Sequence, residues 1–211
     1  MDKFIYIYCF RIPFDYPKIN LCNERKEYLK TVDPLELDNS RWVWRLLNYA
    51  LKDKFSIYAN SLHPRRLETG RWVFDNYYIS LSHSAHFCAV AISSDPIGID
   101  IQKDGGWMMD VSRFSQSELQ MFHNHSVVQR LITWTNKEAL YKYLDPCFKY
   151  VGNEASVDTV KYRNYFRNWL QDGYPGIAIS ICSKLIFDKK KYGFDFVSNV
   201  INEIREIDPI V

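Results

Sequence analysis

Two pairs of side chains have the types and spacing that could hold a metal-bound phosphate group. Asp100 and Gln102 lie two residues apart in a predicted strand, so both point to the same side of that strand. Glu138 and Lys142 lie four residues apart in a predicted helix and share one helix face. Mg²⁺ is commonly held by one or two carboxylates together with phosphate oxygens. If the strand and the helix meet, Asp100 and Glu138 could supply the carboxylates, and Lys142 could face the phosphate charge.

Each of these features, taken alone, also has a purely structural explanation. A Glu–Lys pair on a helix is usually a surface ion pair worth ~0.3–0.5 kcal/mol. An aspartate that follows apolar residues, as Asp100 does, often ends a strand, and Ser82-His83-Ser84 could be an ordinary loop. The chemical interpretation therefore depends on the joint order and spacing of the segments.

The hydrophobic pattern predicts the elements that would position these residues. Strands are predicted at residues 4–10, 77–82, 87–92, 97–102 and 173–183, with a strand pair at 184–196. Helices are predicted at residues 23–30, from the N-cap Ser40 onward, and at 112–125, 127–144 and 197–207. Residues 56–69 are predicted to be a loop, and Gly105-Gly106 should end the strand before it. A weak similarity between residues 88–93 and 176–182 would be explained by two similar αβ halves, 1–103 and 104–211.

Three segments together resemble a known family. SLSHS at residues 80–84, PIGIDIQ at 96–102 and WTNKEALYK at 134–142 are similar to the motif set of the Sfp-type 4′-phosphopantetheinyl transferases. In that family SHS is followed by (I/V)G(I/V)D with an acid two residues on, and then by W(S/T)xKExxxK. The resemblance implies an α+β fold of two αβ halves related by a pseudo-twofold axis, with the site between them. It implies transfer of 4′-phosphopantetheine from coenzyme A to a serine of an apo acyl or peptidyl carrier protein, with release of 3′,5′-ADP.

The resemblance also implies roles for the residues that could do chemistry. Asp100 and Glu138 match metal-binding carboxylates, and Glu138 also matches the residue that activates the carrier serine. Lys142 matches a lysine that contacts the coenzyme A phosphates. Gln102 stands where many members have a glutamate, so the site has two carboxylates instead of three. We therefore hypothesise that Mg²⁺ binds weakly in the absence of coenzyme A.

The same resemblance implies a set of coenzyme A contacts. Ser82 and His83 match a phosphate-contacting pair, and Arg41 matches an arginine near the 3′-phosphate. Arg71 stands where the family has the lysine of Gly-Lys-Pro, which keeps the charge but changes its geometry. A further 3′-phosphate contact is expected from one of three basic residues whose register is not fixed by the pattern, namely Arg25, Lys26 and Lys30.

Composition adds limits to the class of protein. The net charge of +2 does not predict nucleic-acid binding, and no apolar run is long enough for a transmembrane helix. Five cysteines, with no CxxC and no zinc spacing, indicate buried reduced thiols. We expect a cytoplasmic monomer without a signal peptide. Two alternatives stay open: a coenzyme A-binding regulatory or degenerate transferase with little activity, and an unrelated nucleotide-binding αβ protein that matches by chance.

Overall fold

The computed structural model describes residues 3–12, 21–68, 71–104, 111–122, 126–144, 158–171, 176–187, 193–198 and 205–207. The α-helices among them are α1 (Asn23–Leu29), α2 (Leu37–Phe55), α3 (Gln116–Phe122), α4 (Val127–Leu144) and α5 (Lys184–Phe187). Short 3₁₀ helices lie at Ala59–Leu62, Val111–Arg113 and Thr159–Tyr165. No described helix is both long enough and apolar enough to cross a bilayer.

The strands form two four-stranded sheets and one short ribbon. They are β1 (Phe4–Arg11), β2 (Arg65–Arg66), β3 (Trp72–Val73), β4 (Tyr78–Ser84), β5 (Phe87–Ser93), β6 (Gly98–Lys103), β7 (Phe166–Gln171), β8 (Ile177–Cys182), β9 (Gly193–Ser198) and β10 (Arg205–Ile207). The first sheet has the order β4-β5-β1-β9, the second has the order β10-β7-β8-β6, and β2 pairs with β3. Neighbouring strands are antiparallel except β1 and β9, which are parallel.

The two sheets pack face to face and each carries one long helix on its outer side. Strand alternation sends one set of β1 and β5 side chains toward α2, where Tyr8 and Val90 pack against Trp44 and Leu47. The other set meets the second sheet, so that Ile7 shares a core with residues such as Ile99 and Ile179. On the far side of the second sheet, α4 covers β6 and β8. The resulting order of layers is helix, sheet, sheet, helix.

The predicted fold class is confirmed as a mixture of helices and sheets, whereas the pseudo-twofold relation of the halves stays a prediction. The division at residue 103 also stays a prediction. Each of the two four-stranded sheets contains one strand from the opposite half of the chain. Strand β6 precedes the boundary but lies in the second sheet, and β9 follows it but lies in the first.

Several local predictions are wrong in ways that the tertiary structure explains. Helix α2 begins at Leu37, and Ser40 is buried inside it as a hydrogen-bond acceptor, not at its N-cap. Strand β7 was not expected, because its sequence FRNWLQ mixes polar and apolar residues. Residues 184–187 are helical where a strand was predicted, and Arg205–Ile207 is a strand where a helix was predicted. The predicted strand end at Gly105-Gly106 lies outside the described residues, and so does one of the five cysteines, Cys147.

Candidate active site

The site lies where the edge strand β4 of the first sheet runs beside the edge strand β6 of the second. Three serines at alternate positions of β4 accept hydrogen bonds from three alternate backbone N–H groups of β6. The pairs are Ser80 with Ile99 N at 3.0 Å, Ser82 with Ile101 N at 3.2 Å, and Ser84 with Lys103 N at 3.2 Å. We call this arrangement the serine ladder. None of the described strands pairs with β6 on that side, and the ladder satisfies N–H groups of this strand edge.

Asp100 is at the centre of the site. Its carboxylate is buried, and Oδ1 accepts from Ser82 Oγ at 2.7 Å and from Lys142 Nζ at 2.8 Å. The other oxygen, Oδ2, is buried and makes no hydrogen bond with any residue that the structure describes. Lys142 Nζ also donates to the carbonyl oxygen of Ile99 at 3.0 Å. The structure thus joins residues from β4, β6 and α4 on one carboxylate.

Gly98 allows the helix to come this close to the strand. A Cβ atom at Gly98 would lie 1.9 Å from Ala139 O and 2.6 Å from Tyr143 N, which are backbone atoms of α4. Gly98, Asp100 and Gln102 share one face of β6, the face toward α4, while Ile99 and Ile101 point into the core between the sheets. The absence of a side chain at Gly98 therefore sets the approach that puts Lys142 on Asp100.

Glu138 and Gln102 complete the set of predicted metal-binding residues. Glu138 lies one helical turn before Lys142, and its Oε1 is 3.9 Å from Arg113 Nη1. Its side chain is partly exposed, with a relative accessibility of 25%. Gln102 is half-buried and donates from Nε2 to the carbonyl oxygen of Lys103 at 3.1 Å. Among the residues that the structure describes, no three His, Cys, Asp or Glu side chains form a metal-binding group.

The ligand chemistry nevertheless fits a hard cation. A buried carboxylate oxygen without a hydrogen-bond donor, such as Asp100 Oδ2, is costly unless a cation or water satisfies it. Mg²⁺ is usually held by only one or two protein carboxylates and completes its octahedral shell with waters and phosphate oxygens. Asp100 and Glu138 equal that number of protein carboxylates, and Gln102 could add a neutral carbonyl oxygen.

His83 lies next to the serine ladder on β4. Its Nδ1 is 3.3 Å from Glu36 Oε2, and its side chain is 29% exposed. Burial lowers the pKa of His83 below its ordinary value of 6.5, and the positive charges of Lys142 and Arg25 act in the same direction. Glu36 and Asp100 oppose that shift. The imidazole is therefore mainly neutral at pH 7 and can donate one N–H to an anion.

The two arginines that were predicted to contact coenzyme A, Arg71 and Arg41, lie in different surroundings. Arg71 donates from Nη1 to the carbonyl oxygen of Lys142 at 2.5 Å, which ties the segment before β3 to the last turn of α4. Arg41 is on α2, 46% exposed, and lies 3.7 Å from Asp38 Oδ1. The structure brings Arg71 to the Asp100–Lys142 cluster and records no contact between Arg41 and that cluster.

Arg25 is buried, and its contacts stabilise the fold. It is 2% exposed, donates to Ser40 Oγ at 2.8 Å, and lies over the rings of Tyr28, Trp44 and Trp72 at 4.7, 4.8 and 5.2 Å. Burial lowers the pKa of Arg25 to about 10, so it remains charged at neutral pH.

The other two basic candidates for the 3′-phosphate lie at the surface. Lys30 is exposed and forms an ion pair with Glu27 at 2.7 Å, and Lys26 is exposed. These two lysines are accessible to a ligand, whereas Arg25 is not.

One buried ion pair near the site was not predicted from the sequence. Lys137 and Glu118 are both completely buried and form an ion pair at 2.7 Å between α4 and α3. Glu118 also accepts from the backbone N–H of Ser115 and from both N–H and Oγ1 of Thr159. The pair fixes the part of α4 that carries Glu138. In the sequence, Lys137 is the first lysine of the W(S/T)xKExxxK pattern, but that pattern does not pair it with Glu118.

Part of the chain matches a known protein family. Residues 96–184 match the family model described as the 4′-phosphopantetheinyl transferase superfamily. This range contains Asp100, Gln102, Glu138 and Lys142 and excludes β4 with its serine ladder. No curated protein matches the chain.

Proposed function

We propose that this protein is a holo-carrier-protein synthase, because residues 96–184 match the family model of the 4′-phosphopantetheinyl transferase superfamily. It transfers the 4′-phosphopantetheine group of coenzyme A to a serine of an apo acyl or peptidyl carrier protein and releases 3′,5′-ADP. The observation that carries the proposal is the contact of Lys142 Nζ with Asp100 Oδ1 at 2.8 Å, beside the unpartnered Oδ2. This contact places the ammonium group of Lys142 beside a carboxylate oxygen that could bind a metal ion. Both positive charges would then stabilise the charge on a phosphoryl group during its transfer.

Each residue of the cluster has a proposed role in a single displacement. Lys142 has three N–H donors, of which two bind Asp100 and the carbonyl oxygen of Ile99, so one remains for a phosphate oxygen. His83 donates its N–H to a phosphate oxygen. Glu138 accepts the proton of the carrier serine while that hydroxyl oxygen bonds to the β-phosphorus of coenzyme A and the bond to 3′,5′-ADP breaks. No covalent enzyme intermediate forms.

Asp100 and Glu138 would hold Mg²⁺ in this scheme, and Gln102 could face it with its amide oxygen. When bound, the ion supplies charge neutralisation to the pyrophosphate. Arg41 and Arg71 would bind the phosphates of coenzyme A, and Lys26 or Lys30 would bind the 3′-phosphate. Since Arg25 is enclosed by aromatic rings, the proposal does not use it for this contact.

A direct assay tests the proposal. Apo acyl and peptidyl carrier proteins are incubated with coenzyme A and Mg²⁺, and the mass of each carrier is measured. We expect a gain of one phosphopantetheine in wild type and none in Glu138→Gln. A matched control is Glu24→Gln, which removes an exposed carboxylate in the first turn of α1. Equal activity of Glu138→Gln and Glu24→Gln would refute the role of Glu138.

A second candidate function is favoured by the neutral Gln102. A chain that binds coenzyme A but lacks the third negative charge could serve as a regulatory or degenerate transferase. That function predicts coenzyme A binding by calorimetry with no mass gain on any carrier tested. We also propose that the protein acts as a cytoplasmic monomer. The free thiols of Cys9, Cys22, Cys88 and Cys182 support a reducing compartment, and size-exclusion chromatography tests the monomer.

A further inference from the structure

The serine ladder contains one member that differs from the others. Each of its three serines accepts a backbone N–H of β6, but only Ser82 also donates its hydroxyl hydrogen to a carboxylate, Asp100 Oδ1 at 2.7 Å. Ser82 is 6% exposed. Its Oγ therefore bridges the backbone of Ile101 and the side chain of Asp100.

The hydrogen-bond capacity of Ser82 argues against a contact with phosphate. A serine hydroxyl has one hydrogen to donate and two lone pairs that accept. A phosphate oxygen at neutral pH accepts hydrogen bonds, so it would need the hydrogen that Ser82 already gives to Asp100. Binding a phosphate would thus remove a donor from a buried carboxylate, which is costly. His83, the next residue along β4, also has a carboxylate nearby, since its Nδ1 lies 3.3 Å from Glu36 Oε2. Glu36 is exposed, so water can replace the His83 N–H there at less cost than at the buried Asp100.

The two donors on Asp100 also determine which of its oxygens stays available. Ser82 Oγ and Lys142 Nζ both donate to Oδ1, and none of the described residues donates to Oδ2. Because Ser82 is held on the other side by Ile101 N–H, its position is fixed by the β6 backbone on which Asp100 itself lies. The carboxylate is therefore held in one orientation before any ligand arrives.

We infer that Ser82 is a positioning residue for Asp100, orienting its carboxylate so that Oδ2 is left for the metal ion, and that the Ser82 hydroxyl does not donate to a coenzyme A phosphate. This inference rests on the proposed function, because it concerns the ions and the substrate of that reaction. Loss of a group that orients a metal ligand typically weakens metal binding by 10- to 100-fold. The effect should fall on the metal and not on coenzyme A.

Two substitutions on the same strand separate these roles. Ser82→Ala removes a ladder bond and the donor to Asp100, whereas the matched control Ser80→Ala removes only a ladder bond, the one to Ile99 N. Calorimetry measures the affinity for coenzyme A in the presence of EDTA. It also measures the affinity for Mn²⁺, used as a probe for Mg²⁺, in the absence of coenzyme A. Far-UV circular dichroism checks that every variant is folded, and Ser82→Thr tests rescue by a hydroxyl.

We expect Ser82→Ala to weaken Mn²⁺ binding about tenfold or more and to change the metal-free coenzyme A affinity less than twofold. Ser80→Ala should change neither, and Ser82→Thr should recover most of the Mn²⁺ affinity. Weaker metal-free coenzyme A binding in Ser82→Ala, or Mn²⁺ binding equal to that of Ser80→Ala, would overturn the inference while leaving the proposed function intact. A wild-type protein that binds neither coenzyme A nor Mn²⁺ would instead refute the proposed function, and this inference with it.

Discussion

The close contact between Gly98 and α4 gives the sharpest quantitative prediction. In Gly98→Ala the new Cβ would lie 1.9 Å from Ala139 O, whereas ordinary van der Waals contact begins at 3.4 Å, so the gap must open by 3.4 − 1.9 = 1.5 Å. The obstructing atoms are helix backbone and cannot rotate away as a flexible side chain could. Gly98 is itself fixed, because it pairs with Cys182 in the second sheet. The helix must therefore move or lose the turn between Ala139 and Tyr143.

The cost follows from overpacking and from the lost alignment of the site. Overpacking a well-packed interior costs typically 1–3 kcal/mol, and a backbone obstruction should reach about 3 kcal/mol. For a chain of this size that corresponds to a fall in melting temperature of about 6–12 °C. If α4 withdraws by the full gap along the Lys142–Asp100 direction, that contact lengthens from 2.8 Å to 2.8 + 1.5 = 4.3 Å, beyond hydrogen-bond range. A displacement of about 1 Å can cost 10²-fold in rate.

Two measurements on the same preparations test this reasoning. Thermal unfolding gives the loss of stability, and single-turnover transfer to an apo carrier gives the rate. The control is Ile99→Val, which removes one methylene from the opposite face of β6, costs about 0.5–1.5 kcal/mol, and leaves the helix contact unchanged. We expect both variants to be less stable but only Gly98→Ala to lose about 10²-fold in rate. Wild-type stability and rate in Gly98→Ala would show that the close approach of strand and helix is unimportant.

Four further predictions concern the charged groups. Lys137→Met should lower the free energy of unfolding in urea by about 3–5 kcal/mol, because it leaves Glu118 buried without its cation. The double variant with Glu118→Gln should regain at least half of that free energy. No recovery would contradict a charge effect. Burial lowers the pKa of His83 in the folded state, so the unfolded chain binds more protons and stability is lost as the pH falls below about 6.5. In His83→Gln the free energy of unfolding should therefore fall less steeply between about pH 7 and 5.5. An equal pH dependence in wild type and variant would exclude this cause. Arg25→Leu should lower the free energy of unfolding by about 2 kcal/mol and leave the coenzyme A affinity unchanged. Weaker coenzyme A binding at equal stability would show that Arg25 binds the ligand and does not stabilise the fold. Gln102→Glu should raise Mg²⁺ affinity measured by calorimetry without coenzyme A, and equal affinities would refute the charge argument.

Residues that share a face of one element could be predicted from sequence, because periodicity alone determines such faces. Asp100 with Gln102 and Glu138 with Lys142 were paired in this way, and the predicted helix at 127–144 coincides with α4. The requirement for Gly98 has a tertiary origin, since it depends on the distance to α4 and not on backbone conformation. No local pattern could indicate it without the family motif.

Contacts between elements could not be predicted, because they depend on partners distant in sequence. The serine ladder spans 19 residues between donor and acceptor. Ser40 was predicted as an N-cap from its type, but the buried Arg25 uses it as an acceptor within the helix. Arg205–Ile207 has helical spacing, yet β7 offers it a free edge and it pairs there as a strand.

The ion pairs of the site explain why its metal affinity should depend on coenzyme A. Asp100 is paired with Lys142, and Glu138 lies near Arg113, so the charges of these four side chains cancel. Gln102 adds none, and His83 is mainly neutral because burial lowers its pKa. A divalent cation that enters such a site alone gains little attraction and must share Asp100 with a lysine. The pyrophosphate of coenzyme A would supply the missing negative charge and attract Lys142, whose third N–H is available. We therefore expect each ligand to raise the affinity of the other by the same factor, as linkage requires.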